Sequence, residues 1–233
     1  MLSWYFDISG SGAFCLKTIE AVVNAILRKV ICFLCNIDDD EIRNVPGKGP
    51  LIIIVNHINF LEVPVLYLWM QPRKIFGVIK KATFSNPVLG PLARLWSAIE
   101  VDRDNPGIET IRKSMDVLKK GGIICLAPEG TRTKTGELRK GQIGAVVLAR
   151  LSGSPVFTMA HYGGEKFWKN ITHLRKTRIT FRAGELIDIR EWGGQKLTKD
   201  ACTDRLMEHL SLLLPEAYRG VYKSHDNNIL EKS

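Results

Sequence analysis

The chain has 233 residues, 45% hydrophobic and 24% charged, a balance that excludes extended disorder and suits one sizeable α/β domain. A net charge of +9 and a pI near 9.4 point to an anionic partner. The sequence has no zinc finger, RRM core or basic helix with heptads, which disfavours nucleic acid and leaves an anionic bilayer surface or phosphorylated small molecules.

Met1 to Phe6 lacks the basic stretch of a signal peptide, and Ser9-Gly-Ser-Gly12 breaks any helix there. Together with five cysteines, an odd count, this indicates free thiols in a reducing compartment. From Ala13 to Asn36 the spacing predicts a helix. Lys17, Glu20, Asn24 and Arg28 form one narrow polar stripe, and Phe14, Leu16, Ile19, Val22, Ile26, Val30 and Phe33 belong to a wide apolar remainder. Charges interrupt it too often for a spanning helix, which needs roughly 18 or more apolar residues. Two dispositions are open: the apolar face packs on the domain, or the helix lies in the bilayer interface with Lys17, Arg28 and Lys29 reaching headgroups. The width of the apolar face favours both at once. Cys32-Phe-Leu-Cys35 reads as two small hydrophobes on this helix, and no metal is expected.

Asp38-Asp-Asp-Glu41 and Pro46-Gly-Lys-Gly-Pro50 form a polar connector. Residues 1–45 are therefore taken as a membrane-associating helical segment with its connector, 46–222 as the main domain and 223–233 as a flexible tail. Strands are expected at Leu51–Val55, Ile75–Ile79, Ala98–Val101, Ile123–Ala127, Pro155–Met159 and Arg178–Arg182. Helices are expected at Val63–Met70, Pro87–Trp96, Gly107–Lys120, Gly141–Leu151 and Thr198–Leu214. This alternation predicts an α/β fold with a mixed sheet flanked by helices.

Four constellations carry chemistry. Asn56-His57 ends an aliphatic strand, where open α/β sheets place their sites, and Glu62 follows the histidine after four residues. Its carboxylate can hold the imidazole in one tautomer. A structural alternative is a capping box, with Asn59 capping a helix and Glu62 bonding back to it. Pro64 argues against that register, since it would fall inside the helix and break a bond, and the box gives His57 no role. Arg103, just past a short strand, is either a bidentate phosphate ligand or an exposed arginine among Asp102 and Asp104. Pro128-Glu-Gly-Thr-Arg132 is a strand-to-turn junction whose amides near Gly130 and Thr131 and the Arg132 guanidinium suit an anion, with Lys134, Arg139 and Lys140 behind it. Pro155 begins a strand and reads as structural.

The order and spacing of these pieces resemble the phospholipid/glycerol acyltransferases, most closely the 1-acyl-sn-glycerol-3-phosphate subgroup. That family carries Asn-His-x4-Asp, a Lys-rich stretch with Pro and Gly, an arginine after a short strand, Pro-Glu-Gly-Thr-Arg, and a proline-led strand. These fall on Asn56-His57…Glu62, Lys80-Lys81…Pro87…Gly90, Arg103, Pro128 to Arg132, and Pro155. The match runs from about Leu51 to Glu185, and the acid is Glu where the family has Asp.

The resemblance implies a glycerol-3-phosphate acyltransferase-like fold and transfer of a fatty acyl group to the 2-hydroxyl of a lysophospholipid, giving phosphatidic acid. His57 is implied as general base and Glu62 as its partner; Asn56, Arg103, Gly130, Thr131 and Arg132 are placed with the acceptor. Glu129 is grouped with them as an orienting carboxylate, since two anions repel. Lys80 or Lys81 either faces the donor's phosphates or forms a solvated pair. No cofactor is implied beyond acyl-CoA or acyl-carrier protein as co-substrate. The implied location is the cytoplasmic face of a membrane, peripheral or monotopic. The rival expectations are another lysolipid acceptor, or an inactive lipid- or CoA-binding homologue.

Overall fold

The computed structural model describes residues 10–101, 108–133, 135–192 and 197–225. Leu51-Ile-Ile-Ile-Val55 has no polar side to turn to water and forms a strand that needs cover on both faces. It sits fourth of seven in the sheet, so every one of its side chains is buried. Full removal of each from water contributes about 1.5–3 kcal/mol.

In chain order the elements are α1 (Gly10–Leu34), β1 (Cys35–Asp38), β2 (Leu51–Val55), α2 (Glu62–Trp69), β3 (Ile75–Lys80), α3 (Lys81–Phe84), α4 (Leu89–Leu95) and β4 (Ile99–Val101). They continue with α5 (Ile108–Lys119), β5 (Ile123–Leu126), α6 (Gly144–Ser152), β6 (Val156–Tyr162), α7 (Phe167–Thr172), β7 (Thr177–Ile187) and α8 (Lys199–Leu212). The sheet order is β1-β7-β6-β2-β5-β3-β4. The strands β6, β2, β5, β3 and β4 run parallel, β7 is antiparallel to β6, and β1 is parallel to β7. The mixed sheet covered by helices is the architecture the sequence predicts.

Alternate residues of β2 face two separate cores. Leu51, Ile53 and Val55 pack with Ile31 of α1, Val65 and Leu66 of α2, and Phe167 of α7. Ile52 and Ile54 pack with Leu118 of α5, Val146 of α6, and Cys202 and Leu206 of α8.

Three features differ from the sequence expectation. Cys35–Asp38, read as helix end and connector, is an edge strand paired with Thr177–Thr180, so the sheet begins before residue 46. Cys32 is therefore exposed on a helix while Cys35 is buried at the start of a strand. The strands expected at Pro155–Met159 and Arg178–Arg182 extend to Val156–Tyr162 and Thr177–Ile187, because they pair with each other as a long antiparallel ladder. Finally, α1 turns part of its polar stripe inward. Glu20 accepts a hydrogen bond from the Tyr67 hydroxyl and lies 3.2 Å from Lys74 Nζ, and Asn24 Oδ1 accepts from Trp96 Nε1 at 3.0 Å. Tyr67 and Trp96 are buried and stacked at 4.5 Å, and their polar edges need these acceptors. The apolar residues Leu16, Ile19, Val22, Ile26, Val30 and Phe33 are left exposed, Phe33 at 75%. Arg103, Lys134 and most of the tail lie outside the described residues.

Gly184 lies in β7 where a Cβ would meet Thr158 Oγ1 on β6 at 2.1 Å and Leu213 Cδ1 at 3.0 Å. Gly184→Ala is expected to lower stability by about 1–3 kcal/mol, read as a reduced urea midpoint.

Candidate active site

Since β6, β2, β5, β3 and β4 share one direction, the segments leaving their carboxyl ends converge on one edge of the domain. Asn56-His57 leaves β2, Pro128 to Arg132 leaves β5, and His161 lies near the end of β6. Lys80 ends β3 and Lys81 begins α3. Both are exposed, and Lys81 Nζ lies 3.8 Å from Glu100 Oε1, so it has a solvated carboxylate partner. Arg103, which follows β4, falls outside the described residues.

His57 Nδ1 donates to Glu62 Oε1. Glu62 is 2% exposed. Its second oxygen accepts the Asn59 backbone N–H at 3.2 Å, and Asn59 Oδ1 accepts the Leu61 N–H at 2.8 Å. Glu62 thus makes the back-bond of a capping box and the contact to His57 at once, one with each oxygen. The α-helix starts only at Glu62, later than a cap at Asn59 would have it. Pro64 then falls in the first turn, where no intrahelical donor is required. With Nδ1 committed as donor, Nε2 carries the lone pair of the neutral ring. The His57 side chain is 17% exposed, so a ligand can reach it while Glu62 stays out of water.

The backbone of His57 is held on both sides by the loop after β5. Its N–H donates to Glu129 Oε1 at 2.7 Å, and its carbonyl accepts the Thr133 N–H at 2.9 Å. Glu129 Oε2 accepts the Arg139 N–H at 3.0 Å. Burial pushes the Glu129 carboxyl above the usual range, against the opposing pull of these two N–H donors. Glu129 therefore braces the loop from inside, one oxygen to each of the two backbone N–H groups. Gly130 adopts φ 69°, a conformation that side-chain-bearing residues rarely take, and its N–H closes the turn onto Ala127 O at 3.1 Å. Its amide is spent within the turn, which corrects the expectation that it faces an anion. Thr131, Arg132, Thr133, Thr135, Glu137 and Arg139 line a cleft of about 630 Å³ on the loop whose Thr133 N–H holds the His57 carbonyl, with Arg132 exposed.

Asn56 also faces inward. It is 1% exposed and clasps β6: its Nδ2 donates to His161 O at 2.8 Å, and its Oδ1 accepts the His161 N–H at 2.8 Å. His161 Nε2 donates in turn to Asn56 O at 2.9 Å and lies 3.6 Å from Glu62 Oε2. Sequence reasoning placed Asn56 with the acceptor and missed His161. The signal was present: a titratable residue in an apolar run at the carboxyl end of a parallel strand, the rule that singled out His57. Nearby Cys125 is buried and its thiol is pushed up to about 12, which keeps it protonated and unsuited as a nucleophile.

This arrangement was compared with known proteins. The family described as Acyltransferase matches residues 36–162, more than half of the chain. A 1-acyl-sn-glycerol-3-phosphate acyltransferase of Bacillus subtilis is 32% identical over 121 residues, covering 52% of this chain and 60% of that protein. The protein of the same name from Cocos nucifera is 31% identical over 150 residues, covering 63% of this chain and 48% of that one. The chain thus spans about half to three-fifths of the length of these relatives. Among solved structures, the 1-acyl-sn-glycerophosphate (LPA) acyltransferase PlsC of Thermotoga maritima superposes with a TM-score of 0.64. It is 17% identical, with 85% of this chain and 80% of that chain covered, and the likeness is one of fold.

Burial lowers the pKa of His161 below the ordinary histidine value. The unfolded chain therefore takes up that proton before the folded one, and stability should fall as pH drops below about 6.5. His209, lowered by burial too, adds to the same limb. Thermal midpoints of wild type and His161→Gln across this range isolate the His161 part, and the variant should show the flatter acid limb.

Proposed function

The chain belongs to the acyltransferase family, and on that premise we propose that it moves a fatty acyl group from acyl-CoA or acyl-carrier protein to the 2-hydroxyl of 1-acyl-glycerol-3-phosphate, giving phosphatidic acid. The observation that carries this reading is the His57–Glu62 contact, with the His57 backbone bonded to the loop that bears Thr131 and Arg132. His57 Nε2 takes the proton of the acceptor hydroxyl as its oxygen attacks the thioester carbonyl. The new C–O bond forms as the C–S bond breaks, and the proton passes from His57 to the departing thiolate. Glu62 keeps Nδ1 as the donor and stabilises the imidazolium that forms in between. The transfer is read as direct, since no Ser or Cys nucleophile occupies a matching motif in the sequence.

Arg132 holds the acceptor phosphate with a charge-assisted bond, so the hydroxyl is presented to His57 at bonding distance. The relatives named as 1-acyl-sn-glycerol-3-phosphate acyltransferases support this acceptor. Lys80, exposed at the end of β3, is the better placed of the two lysines for donor phosphates, because Lys81 has Glu100 beside it.

No helix among the described residues is long and apolar enough to cross a membrane. The exposed stripe from Leu16 to Phe33 instead suits lying in the interface of an anionic bilayer, with Lys17 and Lys29 exposed to meet headgroups. Lysolipid and product both live in that bilayer, and free thiols and positive charge fit its cytoplasmic face.

Purified protein incubated with lysophosphatidate and labelled acyl-CoA should yield labelled phosphatidic acid. No product with either acyl-CoA or acyl-carrier protein would overturn the assignment. His57→Ala should lower turnover by about 10²–10⁴-fold while keeping the fold, read as an unchanged far-UV spectrum. Arg132→Ala should raise KM for lysophosphatidate about 10–100-fold, the loss of one hydrogen bond to a charged group, and leave KM for acyl-CoA nearly untouched. Ile26→Glu with Phe33→Glu should abolish pelleting with phosphatidylglycerol vesicles, and undiminished pelleting would place the membrane contact elsewhere.

A further inference from the structure

We propose that His161 is a positioning residue for the reaction, fixing the Glu62 carboxylate at the depth and rotation that turn one oxygen toward His57. The inference rests on the acyl-transfer reading of His57.

Position comes first. Met159 is the register partner of Val55, so His161, two residues on, lies beside the segment that leaves β2 for the site. Three hydrogen bonds of 2.8 to 2.9 Å join it to Asn56. They fix the imidazole as well as the backbone, because one of them comes from the ring itself. They also fix the residue immediately before His57.

Chemistry comes next. The Nε2 that donates to Asn56 O lies 3.6 Å from Glu62 Oε2, the oxygen His57 does not use. That oxygen accepts the Asn59 N–H, and the Nε2 edge of the His161 ring, its proton given to Asn56 O, stands 3.6 Å from it. Asn59 draws this oxygen toward the turn and the His161 edge backs it, which leaves Oε1 for His57. Glu carries one methylene more than the Asp of the motif this chain resembles, and a longer side chain needs a deeper stop. His161 supplies that stop.

The ring also bears a cost that packing alone would not select. Its Nδ1 is buried with no hydrogen-bond partner among the described residues, while the ring face stacks on Phe181 at 5.5 Å. A leucine or phenylalanine would fill this space without an unmet polar atom. The ring is retained for what Nε2 does. Burial keeps His161 neutral, so it orients Glu62 without competing with His57 for the negative charge.

The test uses His161→Leu and His161→Gln, each with Glu62 and with Glu62→Asp. His161→Leu should lower kcat about 10–100-fold with little change in either KM, as loss of an orienting partner does. His161→Gln, whose amide nitrogen can donate where Nε2 did, should recover most of the loss. In the Glu62→Asp background the effect of His161→Leu should shrink, because the shorter carboxylate draws back from position 161. Equal losses in both backgrounds, or no recovery with Gln, would overturn the proposal. If the Leu variant does not fold, His161→Phe takes its place and keeps the stack on Phe181. Long-range ¹H–¹⁵N spectra of the histidine rings, recorded without substrate, should show a single Nδ1–H tautomer of His57 in wild type and a mixture in the apolar variant. An unchanged His57 ring in that variant refutes the positioning role whatever the acceptor is. Absence of transfer by wild type refutes only the acceptor assignment.

Discussion

A carboxylate shut away from water must have its lone pairs met by donors, and the site is organised around meeting those of Glu62. One oxygen takes the His57 ring, and the other takes the Asn59 backbone with His161 behind it. The delayed start of α2 follows from this arrangement, since Glu62 can open the helix only if the chain from Asn56 to Leu61 stays in a turn. That turn in turn requires β2 to stop at Val55, in the middle of the sheet, where both faces are already covered. A partner for His57 and a helix cap, which compete as explanations of Glu62 in the sequence, are two uses of one side chain.

The parts of the fold legible in the sequence are those whose hydrophobic period stands alone. Leu51–Val55 is a pure aliphatic run with turn residues before it, and its boundaries are read directly. β1 is hidden because Cys35-Asn-Ile-Asp38 follows α1 without a break and carries polar residues that suit a connector equally well. β7 is under-read because Arg178, Arg182 and Glu185 interrupt it, and only pairing with β6 makes them strand residues. In the site, His57, Glu62 and Arg132 were legible because each lies in a short local motif. His161 was passed over although it lies at the end of a parallel strand, because that strand was expected to stop at Met159 and its partner Asn56 is 105 residues away. The turn's use of the Gly130 amide was equally invisible, since spacing does not say which way an amide points.

The N-terminal helix teaches a related lesson. Periodicity shows that one stripe of α1 differs from the rest, but the direction it faces is decided by its neighbours. Tyr67 and Trp96 bring a hydroxyl and an indole N–H to the sheet surface, and Glu20 and Asn24 answer them. Leu27, Ile31 and Leu34 complete the inner face, and the wider apolar surface is turned to the outside. A helix that docks through polar groups is free to offer hydrocarbon to something else.

The two hydrogen bonds that the His57 backbone makes with Glu129 Oε1 and the Thr133 N–H have a consequence for selectivity. They make His57 and the loop bearing Arg132 one rigid piece, because the loop cannot swing out without breaking its hold on the histidine. The span between them is set when the protein folds, before any substrate arrives. In the proposed chemistry such a site works as a ruler. It accepts the molecule whose hydroxyl stands at the right distance from its anionic group and rejects those a carbon too long or too short, whatever their hydrophobic tails.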